Sequence, residues 1–307
     1  MKSGIKLKIL GFTALFLVAL FVLFPINNLR GYIFDRVFKS SGVLLVSDSM
    51  HFSLFGMPGV RMENVNVTLP IGDQEIDLWS QNVTLKLALS GLFPPLPGGS
   101  VKISELKKGG DIYTKIGKGQ NSIAFHLNAT QVNLEQIGTR NGNPPLKGLL
   151  NISSDIIFNE TEVIKSSGYF KISIKDLLLI QQTISPPELG GLTIIIPTMK
   201  IGKLNGTLNM KNGVLEVAQF KFGEDPNSDL KGILNGDFKL EKKIELSALN
   251  IGLTLKLSQR ILDNPEAATF KSALTGFQIA PGEYSLKCNG TIQDFINSPL
   301  YPCKKMD

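Results

Sequence analysis

The sequence predicts an all-β protein, with curved antiparallel sheets built from repeated amphipathic hairpins and preceded by one N-terminal transmembrane helix. Three observations support this fold class. Beyond residue 40, apolar and polar residues alternate with the period of two that a half-buried strand shows. Asn-Gly pairs and proline-rich stretches separate the alternating segments, as turns do. The first 29 residues contain one long uncharged apolar run.

The composition of the 307-residue chain agrees with an ordered, turn-rich protein. Apolar residues make up 43% of the chain and charged residues only 19%, which is enough apolar material for a core. The net charge is +6, and no block of five or more consecutive Lys and Arg residues occurs. Because a nucleic-acid-binding face needs clustered basic side chains, the sequence predicts no nucleic-acid partner.

The segment Ile9–Leu29 is predicted to be an uncleaved transmembrane anchor. It contains no charged residue in 21 positions, and a helix of that length rises about 30 Å, the thickness of the hydrocarbon core. A secretory signal peptide is the alternative, but it has a shorter apolar region that ends in a small-x-small cleavage site. Here the apolar run ends at Phe24–Asn28, which lacks such a site.

The charges around the anchor predict its orientation. Lys2, Lys6 and Lys8 precede it, so the positive-inside rule places residues 1–8 in the cytoplasm and the chain after residue 29 beyond the membrane. The sequence therefore predicts a single-pass protein whose C-terminal domain lies on the far side of the membrane from the cytoplasm.

The domain after the anchor has a candidate boundary at the proline-rich stretch near residues 186–191. We distinguish an N-terminal β half, residues 30–187, from a C-terminal β half, residues 188–307. A single continuous sheet that crosses this point is the alternative. Helical spacing of apolar residues occurs at residues 30–39 and again, interrupted by Asn-Pro, at residues 258–274.

The clearest hairpin lies in the C-terminal half. Apolar and polar residues alternate over Lys203–Lys211, which predicts a strand with one apolar face. Asn212-Gly213 follows and predicts a type I′ turn, because both central residues of that turn need a positive φ. Val214–Phe222 is then the predicted returning strand.

A second hairpin follows it. Leu230–Glu241 alternates, and the predicted return strand begins with Ile244, Leu246 and Ala248 turned inward. At Leu249 the apolar phase moves by one residue and then continues to Leu257. A phase change inside a strand predicts a β-bulge, which bends a sheet.

The apolar side chains of these strands form the candidate functional surface. Two interpretations stay open: an exposed groove that binds acyl chains, or an ordinary core between two packed sheets. The candidate groove residues are Leu204, Leu208, Met210, Leu234, Phe238, Leu246, Leu253 and Leu255.

The sequence predicts no catalytic, cofactor-binding or metal-binding residues and hence no enzyme. His51 and His126 are the only histidines, and neither has a second His or Cys at metal-ligand spacing. No nucleophile elbow, phosphate loop or dinucleotide fingerprint occurs. Glu224, Asp225 and Asp229 flank Pro226 but lack the fixed ligand spacing of calcium loops.

The two cysteines, Cys288 and Cys303, are a candidate disulfide. In an oxidising compartment they would close a loop of about 15 residues, which stabilises a fold by about 3 kcal/mol in the chain-entropy model. Two unpaired thiols are the alternative, because spacing alone cannot test the geometry of the pair.

Several short segments resemble the type II secretion system protein N (GspN) family, and the layout also resembles the AsmA-like envelope proteins. The resemblance spans nearly the whole chain, but its motifs are patterns of glycine, asparagine and apolar residues. The segments are Tyr32–Val37, Phe55–Val65, Gly202–Leu208, Asn212–Glu216, Leu249–Leu257, Pro281–Leu286 and Asn289–Thr291.

The resemblance implies a single-pass protein of the bacterial inner membrane with its C-terminal domain in the periplasm, but the two families imply different functions. The first implies a non-enzymatic accessory component of a type II protein secretion system, whose periplasmic β domain contacts other secretion proteins and supports export across the outer membrane. The second implies a lipid-binding or lipid-transport protein, whose apolar sheet face shields the acyl chains of phospholipids. The first is our expectation and the second is the alternative.

Overall fold

A computed structural model describes residues 26–53, 59–71, 74–90, 96–136, 138–139, 145–159, 161–184, 193–241, 243, 246–297 and 303–306. The predicted cytoplasmic segment and all but the last four residues of the predicted anchor lie outside this part of the chain. Among the described residues, no helix is both long enough and apolar enough to span a membrane.

Most of the described residues lie in β-strands, which confirms the prediction of a β protein with antiparallel strands. The strands are β1 (Leu44–Val46), β2 (Ser49–Ser53), β3 (Gly59–Ile71), β4 (Gln74–Ser90), β5 (Leu96–Leu106), β6 (Asp111–Lys118), β7 (Ser122–Asn133), β8 (Gly138–Thr139), β9 (Leu146–Asn159), β10 (Ser167–Leu179), β11 (Gln182–Ile184), β12 (Ile194–Ile196), β13 (Met199–Lys211), β14 (Val214–Phe222), β15 (Leu230–Lys239), β16 (Ala248–Leu257), β17 (Gln278–Ala280), β18 (Glu283–Thr291) and β19 (Cys303–Lys305).

Among the described residues, helices are few. The α-helices are α1 (Ile26–Ser41), α2 (Gln259–Leu262), α3 (Ala268–Leu274) and α4 (Ile292–Asn297), and the 3-10 turns are Leu134–Gln136, Val163–Lys165, Pro265–Ala267 and Thr275–Phe277. Both segments with predicted helical spacing are helical. The interruption between α2 and α3 has a local cause, since the Asn264 side chain accepts a hydrogen bond from the Glu266 N–H and Pro265 begins a new turn.

Seventeen strands form one antiparallel sheet, and the other two, β11 and β12, pair with each other. The long strands pair in the order β3-β4-β5-β6-β7-β9-β10-β13-β14-β15-β16-β18. Strands β1 and β2 pair with β3 at one end, and β17 and β19 pair with β18 at the other. Within the described residues no pairing joins the two ends, so this sheet is open.

The sheet is continuous across the predicted boundary between the two β halves, near residues 186–191. Strands β10 and β13, one from each side of the boundary, pair from Gly168 opposite Met210 to Leu179 opposite Met199. The two β halves of the chain therefore share one sheet, which is the alternative that the sequence left open.

The hairpin at Asn212-Gly213 has the predicted turn. Asn212 has a φ of 54° and Gly213 a φ of 73°, as a type I′ turn requires. The predicted bulge at the start of the Leu249–Leu257 strand is wrong. Strands β15 and β16 pair without a register shift from Leu230 opposite Leu257 to Lys239 opposite Ala248.

Irregular backbone conformations occur instead at four other positions, and all four follow the same pattern. In each of four strands, β3, β5, β7 and β10, a polar residue with a positive φ is followed directly by an apolar residue that is almost fully buried. These pairs are Asn64-Val65, Glu105-Leu106, Gln131-Val132 and Asp176-Leu177. A left-handed residue inside a strand changes the side-chain phase and bends the strand, and it turns the next side chain into the core.

Helical segments cover the two ends of the sheet. Ile33 and Phe34 of α1 pack against the buried Met50, Met62 and Val65 at the N-terminal end. At the C-terminal end, residues of the segment 261–277 pack over strands β16 and β18 in a second cluster, which contains Ile261, Ala267, Phe270, Leu274, Phe277, Leu255, Leu257, Tyr284 and Leu286.

Candidate functional site

Cross-strand pairing lines up apolar residues on one face of the sheet, since residues directly opposite each other on adjacent strands point to the same side. We call this side the apolar face. One row across it consists of Val132, Leu150, Ile174, Leu204, Phe222, Gly232, Leu255 and Tyr284. A second row consists of Ile116, Phe125, Ile156, Gly168, Met210, Leu215, Phe238 and Leu249. Both rows cross strands from both halves of the chain.

The register places all but one of the predicted groove residues on this face. Leu208 lies opposite Phe170, and Leu234 lies between Phe220 and Leu253. The residues on the apolar face are Leu204, Leu208, Met210, Leu234, Phe238, Leu253 and Leu255.

Leu246 is the exception, and its predicted place in the groove is wrong. It lies in a turn before β16, where its N–H donates to the carbonyl of Lys243, and its side chain is 51% exposed. The period-two spacing of Ile244, Leu246 and Ala248 looks like a strand, but the chain turns there and pairing begins only at Ala248.

The opposite side of the sheet is polar. One row across it consists of Asn128, Ser153, Lys171, Thr207 and Gln219. On this side the Ser173 hydroxyl donates to the Asn205 side chain over 3.0 Å, and His126 lies 3.7 Å from Asp155. The sheet is therefore wetted on one side and apolar on the other, as antiparallel sheets commonly are.

Burial is uneven along the apolar face. The residues near the left-handed positions are almost fully buried, among them Val132 and Leu177. Leu208, Leu234 and Phe238 are only half-buried and lie outside the four packed clusters of buried apolar residues. Among the described residues, α1 packs at one end of this face and the segment 261–277 at the other, while Leu134 of a 3-10 turn packs over Ile174 and Leu177 between them. The accessible part of the face is therefore the region around Leu208, Leu234 and Phe238.

Two phenylalanine rings lie over glycine residues on this face. A Cβ atom at Gly206 would lie 2.4 Å from the Phe220 ring, and one at Gly232 would lie 2.3 Å from the Phe222 ring. Each ring therefore lies across the glycine of a neighbouring strand. Flat rings over glycines give a smooth apolar surface without projecting side chains, and only glycine fits beneath them.

An apolar cavity of about 460 Å³ opens on the same face over strands β4, β5 and β6. Leu85, Val101 and Ile116 line it, and the two lysines Lys86 and Lys118 contribute to the lining. Leu85 and Val101 also pack against the cluster that α1 covers. Alternation of apolar and polar residues does not predict a cavity there, because a cavity depends on which parts of the face the helices leave uncovered.

An ion pair between Arg260 and the buried Asp229 attaches α2 to the sheet. The buried carboxylate of Asp229 accepts hydrogen bonds from Arg260 Nε at 2.8 Å, from the Ser258 hydroxyl at 3.0 Å and from the Lys200 N–H at 2.8 Å. Arg260 Nη2 makes a further bond to the second carboxylate oxygen. Burial alone would raise the pKa of Asp229, but these donors outweigh it and hold the pKa below its usual value.

The other acidic residues of the Glu224–Asp229 loop have protein partners as well. Glu224 accepts a bond from the Asn205 amide at 3.3 Å, and Asp225 lies 3.8 Å from Lys203 Nζ. Within the described part of the chain, no group of three or more His, Cys, Asp or Glu side chains is arranged to hold a metal ion.

Cys288 and Cys303 are joined by a disulfide. They lie opposite each other on β18 and β19, and Cys288 belongs to the cluster beneath the C-terminal helices. The bond therefore fastens the last short strand of the sheet to its neighbour.

Comparisons of the chain with protein-family models, with curated proteins and with solved structures found no match. The functional interpretation therefore rests on the residues and geometry of the chain itself.

Proposed function

We propose that this protein is a membrane-anchored envelope protein that binds the acyl chains of lipids along the apolar face of its open sheet. The role proposed is non-catalytic binding or transport. The observation that carries it is the accessible middle of the apolar face, where Leu208, Leu234 and Phe238 are half-buried and belong to no packed cluster. Accessible apolar side chains grouped on one face of a sheet are a candidate binding site for a ligand or partner.

The dimensions of the face suit acyl chains. The ten strands from β4 to β16 that pair in sequence span about 43 Å at about 4.8 Å per strand. One leaflet of a bilayer contributes about 15 Å of hydrocarbon. The face is thus long enough to hold more than one acyl chain end to end.

Local features support a curved, lipid-binding surface. The four left-handed positions bend their strands at a similar level, and the glycines beneath Phe220 and Phe222 leave the surface smooth. Lys118 lies on the apolar face beside this cavity and suits a ligand with an apolar chain and an anionic head. The uncharged run Ile9–Leu29 supplies the proposed anchor in the bacterial inner membrane.

Photo-crosslinking in cells tests this proposal on the full-length chain. A benzophenone amino acid at Leu208 or Phe238 points to the apolar face, whereas the same group at Asn209 or Asp237 points to the polar face and serves as a matched control. We expect phospholipid adducts from the first pair alone. Absence of adducts at both pairs, or equal adducts at both, would contradict lipid binding by this face.

An accessory role in type II secretion is the second candidate, and one structural observation favours it. Strand β1 pairs with β3 alone among the described strands, and its Leu44 and Val46 are exposed. An apolar strand at an open sheet edge is a site where another chain can add a strand. At the opposite edge, β19 carries Lys304 and Lys305, which discourage such pairing.

The same crosslinker distinguishes the two functions. At Val46 it would capture a secretion-system envelope protein if that role is correct, while at Lys304 it would capture little. Lipid adducts at Leu208 without any protein adduct at Val46 would leave lipid binding as the sole function, and the reverse result would leave secretion.

A further inference from the structure

A cavity of about 540 Å³ lies on the polar side of the sheet, opposite the apolar face. It extends across the neighbouring strands β7, β9, β10, β13 and β14, and Glu224 in the loop after β14 lines one end of it. We call this cavity the polar trough. It lies within the described part of the chain and has no role in the lipid binding proposed above.

The trough follows from the lengths of the side chains on the polar side. Its floor consists of Ser153, Ser173 and Thr207, which are short and half-buried. The longer side chains of Asn128 on β7 and Gln219 on β14 are exposed and border the floor on its two sides. Short residues on the central strands and longer ones on the outer strands therefore leave a depression in the polar side.

One long side chain, that of Lys171, lies among the short ones. The register places it between Ser153 and Thr207. Its Nζ atom lies 5.2 Å from the centre of the Tyr169 ring, two residues earlier on the same strand. The lysine side chain therefore extends along β10 toward Tyr169 rather than across the floor, and it contributes its charge at one end of the trough.

The two charges of the trough offset each other, and its other polar side chains are neutral. Among the described residues that line it, Lys171 and Glu224 are the charged ones. Glu224 accepts a hydrogen bond from the Asn205 amide at 3.3 Å, and the Ser173 hydroxyl donates to the same asparagine at 3.0 Å. This series of hydrogen bonds holds one end of the trough in a defined arrangement.

Other polar groups of the trough are available to a ligand. Within the described part of the chain, the side chains of Asn128, Ser153 and Thr207 make no hydrogen bond to another protein group. A hydroxyl group both donates and accepts, and a side-chain amide does so as well. The trough thus presents several neutral donors and acceptors side by side on adjacent strands.

We infer that the polar trough binds a neutral carbohydrate, because sugar hydroxyls donate and accept in the same way as the groups that line it. Three other occupants fit less well. An anion would meet Glu224 as well as Lys171, and an acyl chain would bury polar groups without partners. A peptide that extends a sheet needs free backbone groups, but those of β9, β10 and β13 already pair within the sheet.

Saturation-transfer NMR tests this inference on the full-length protein in phosphatidylcholine nanodiscs, which contain no sugar detergent. The probes are maltotriose, cellotriose and chitotriose, each titrated to about 10 mM, a range that detects weak binding. Citrate is titrated separately as an anionic probe that carries no sugar ring.

Three variants locate the binding. Thr207→Val removes a floor hydroxyl with little change of shape, and Ser153→Phe fills the floor. Thr254→Val is the matched control, since Thr254 lies on the polar side of β16, outside the trough. We expect saturable binding of at least one trisaccharide, about fivefold weaker in Thr207→Val through the loss of one hydrogen bond. Binding should be lost in Ser153→Phe and unchanged in Thr254→Val.

Three results would overturn the inference: no trisaccharide binds, citrate alone binds, or Thr207→Val and Thr254→Val weaken sugar binding equally. The trough lies on the side of the sheet opposite Leu208 and Phe238, so the lipid adducts expected at those positions are independent of all three results.

Discussion

Replacement of Arg260 by alanine tests how the helical segment is held on the end of the apolar face. The buried Asp229 carboxylate binds two nitrogens of Arg260 and, in addition, the Ser258 hydroxyl and the Lys200 N–H. Arg260→Ala removes the two charged donors and leaves the carboxylate, which is only 5% exposed, with two neutral ones. A buried charge that loses its partner is destabilising.

The expected cost follows from the geometry. A hydrogen bond to a charged group contributes about 1.5–3 kcal/mol, but the Arg260 side chain is 60% exposed and its interactions are screened by water. We therefore expect Arg260→Ala to lower the free energy of unfolding by about 2 kcal/mol. Arg260→Lys keeps the charge but loses the bidentate geometry, and we expect it to lower the free energy of unfolding by about 1 kcal/mol.

A double-mutant cycle with Asp229→Asn, measured by denaturant unfolding, isolates the pair. Hydrogen exchange shows which part of the protein is destabilised. The amides of α2 and α3 should exchange faster in Arg260→Ala, while those of β9 and β10 keep their protection. A coupling energy below about 0.5 kcal/mol, or faster exchange spread evenly over the sheet, would refute the reasoning.

The same pair predicts a dependence on pH. The folded-state pKa of Asp229 lies below its usual value of 3.8, so its stabilising contribution is complete above that value and is lost as the pH falls through the folded pKa. The difference in melting temperature between the native chain and Asp229→Asn should shrink as the pH is lowered from 7 to 2. Parallel curves over this range would contradict the assignment.

Five further variants each have a defined expectation in thermal or denaturant unfolding. Gly206→Val should cost about 1–3 kcal/mol because its side chain collides with the phenylalanine ring above it, whereas Gly276→Ala, which meets nothing within 4 Å, should be nearly neutral, and equal effects would exclude the ring contact. Replacing Cys288 and its partner by serine should cost about 3 kcal/mol, and unchanged stability would mean that the bond is absent in solution. Leu255→Ala should cost about 2–4 kcal/mol because the residue is packed beneath the helices, while the exposed Leu246→Ala should cost under about 0.5 kcal/mol. The reverse ranking would refute the assigned face.

The sequence was most informative where local chemistry and periodicity agree. Val214–Phe222 was predicted as a strand with the bounds that the structure shows, since Asn212-Gly213 determines where it begins. A type I′ turn is a strong local signal because few residues accept its backbone conformation. The period of two also placed Leu208 and Phe238 on the same face.

The errors lie where apolar and polar alternation alone does not determine the conformation. Leu246 follows the strand period, but a turn bonded to Lys243 occupies that position. The bends were missed because they lie inside alternating strands, and two of them fall on Glu105 and Gln131, which carry no turn signature. Whether the apolar face is covered depends on where α1, α2 and α3 pack, and alternation within a strand contains no information about that.

The recurring pair of a left-handed polar residue and a buried apolar residue has a consequence for how such a protein varies in size. Each pair bends its strand within one hairpin, and each hairpin pairs mainly with its neighbours along the chain. Insertion or loss of a whole hairpin therefore leaves the packing of distant strands intact, much as in repeat proteins. The span of the sheet is set by the number of units, so a longer or shorter version requires no redesign of a central core.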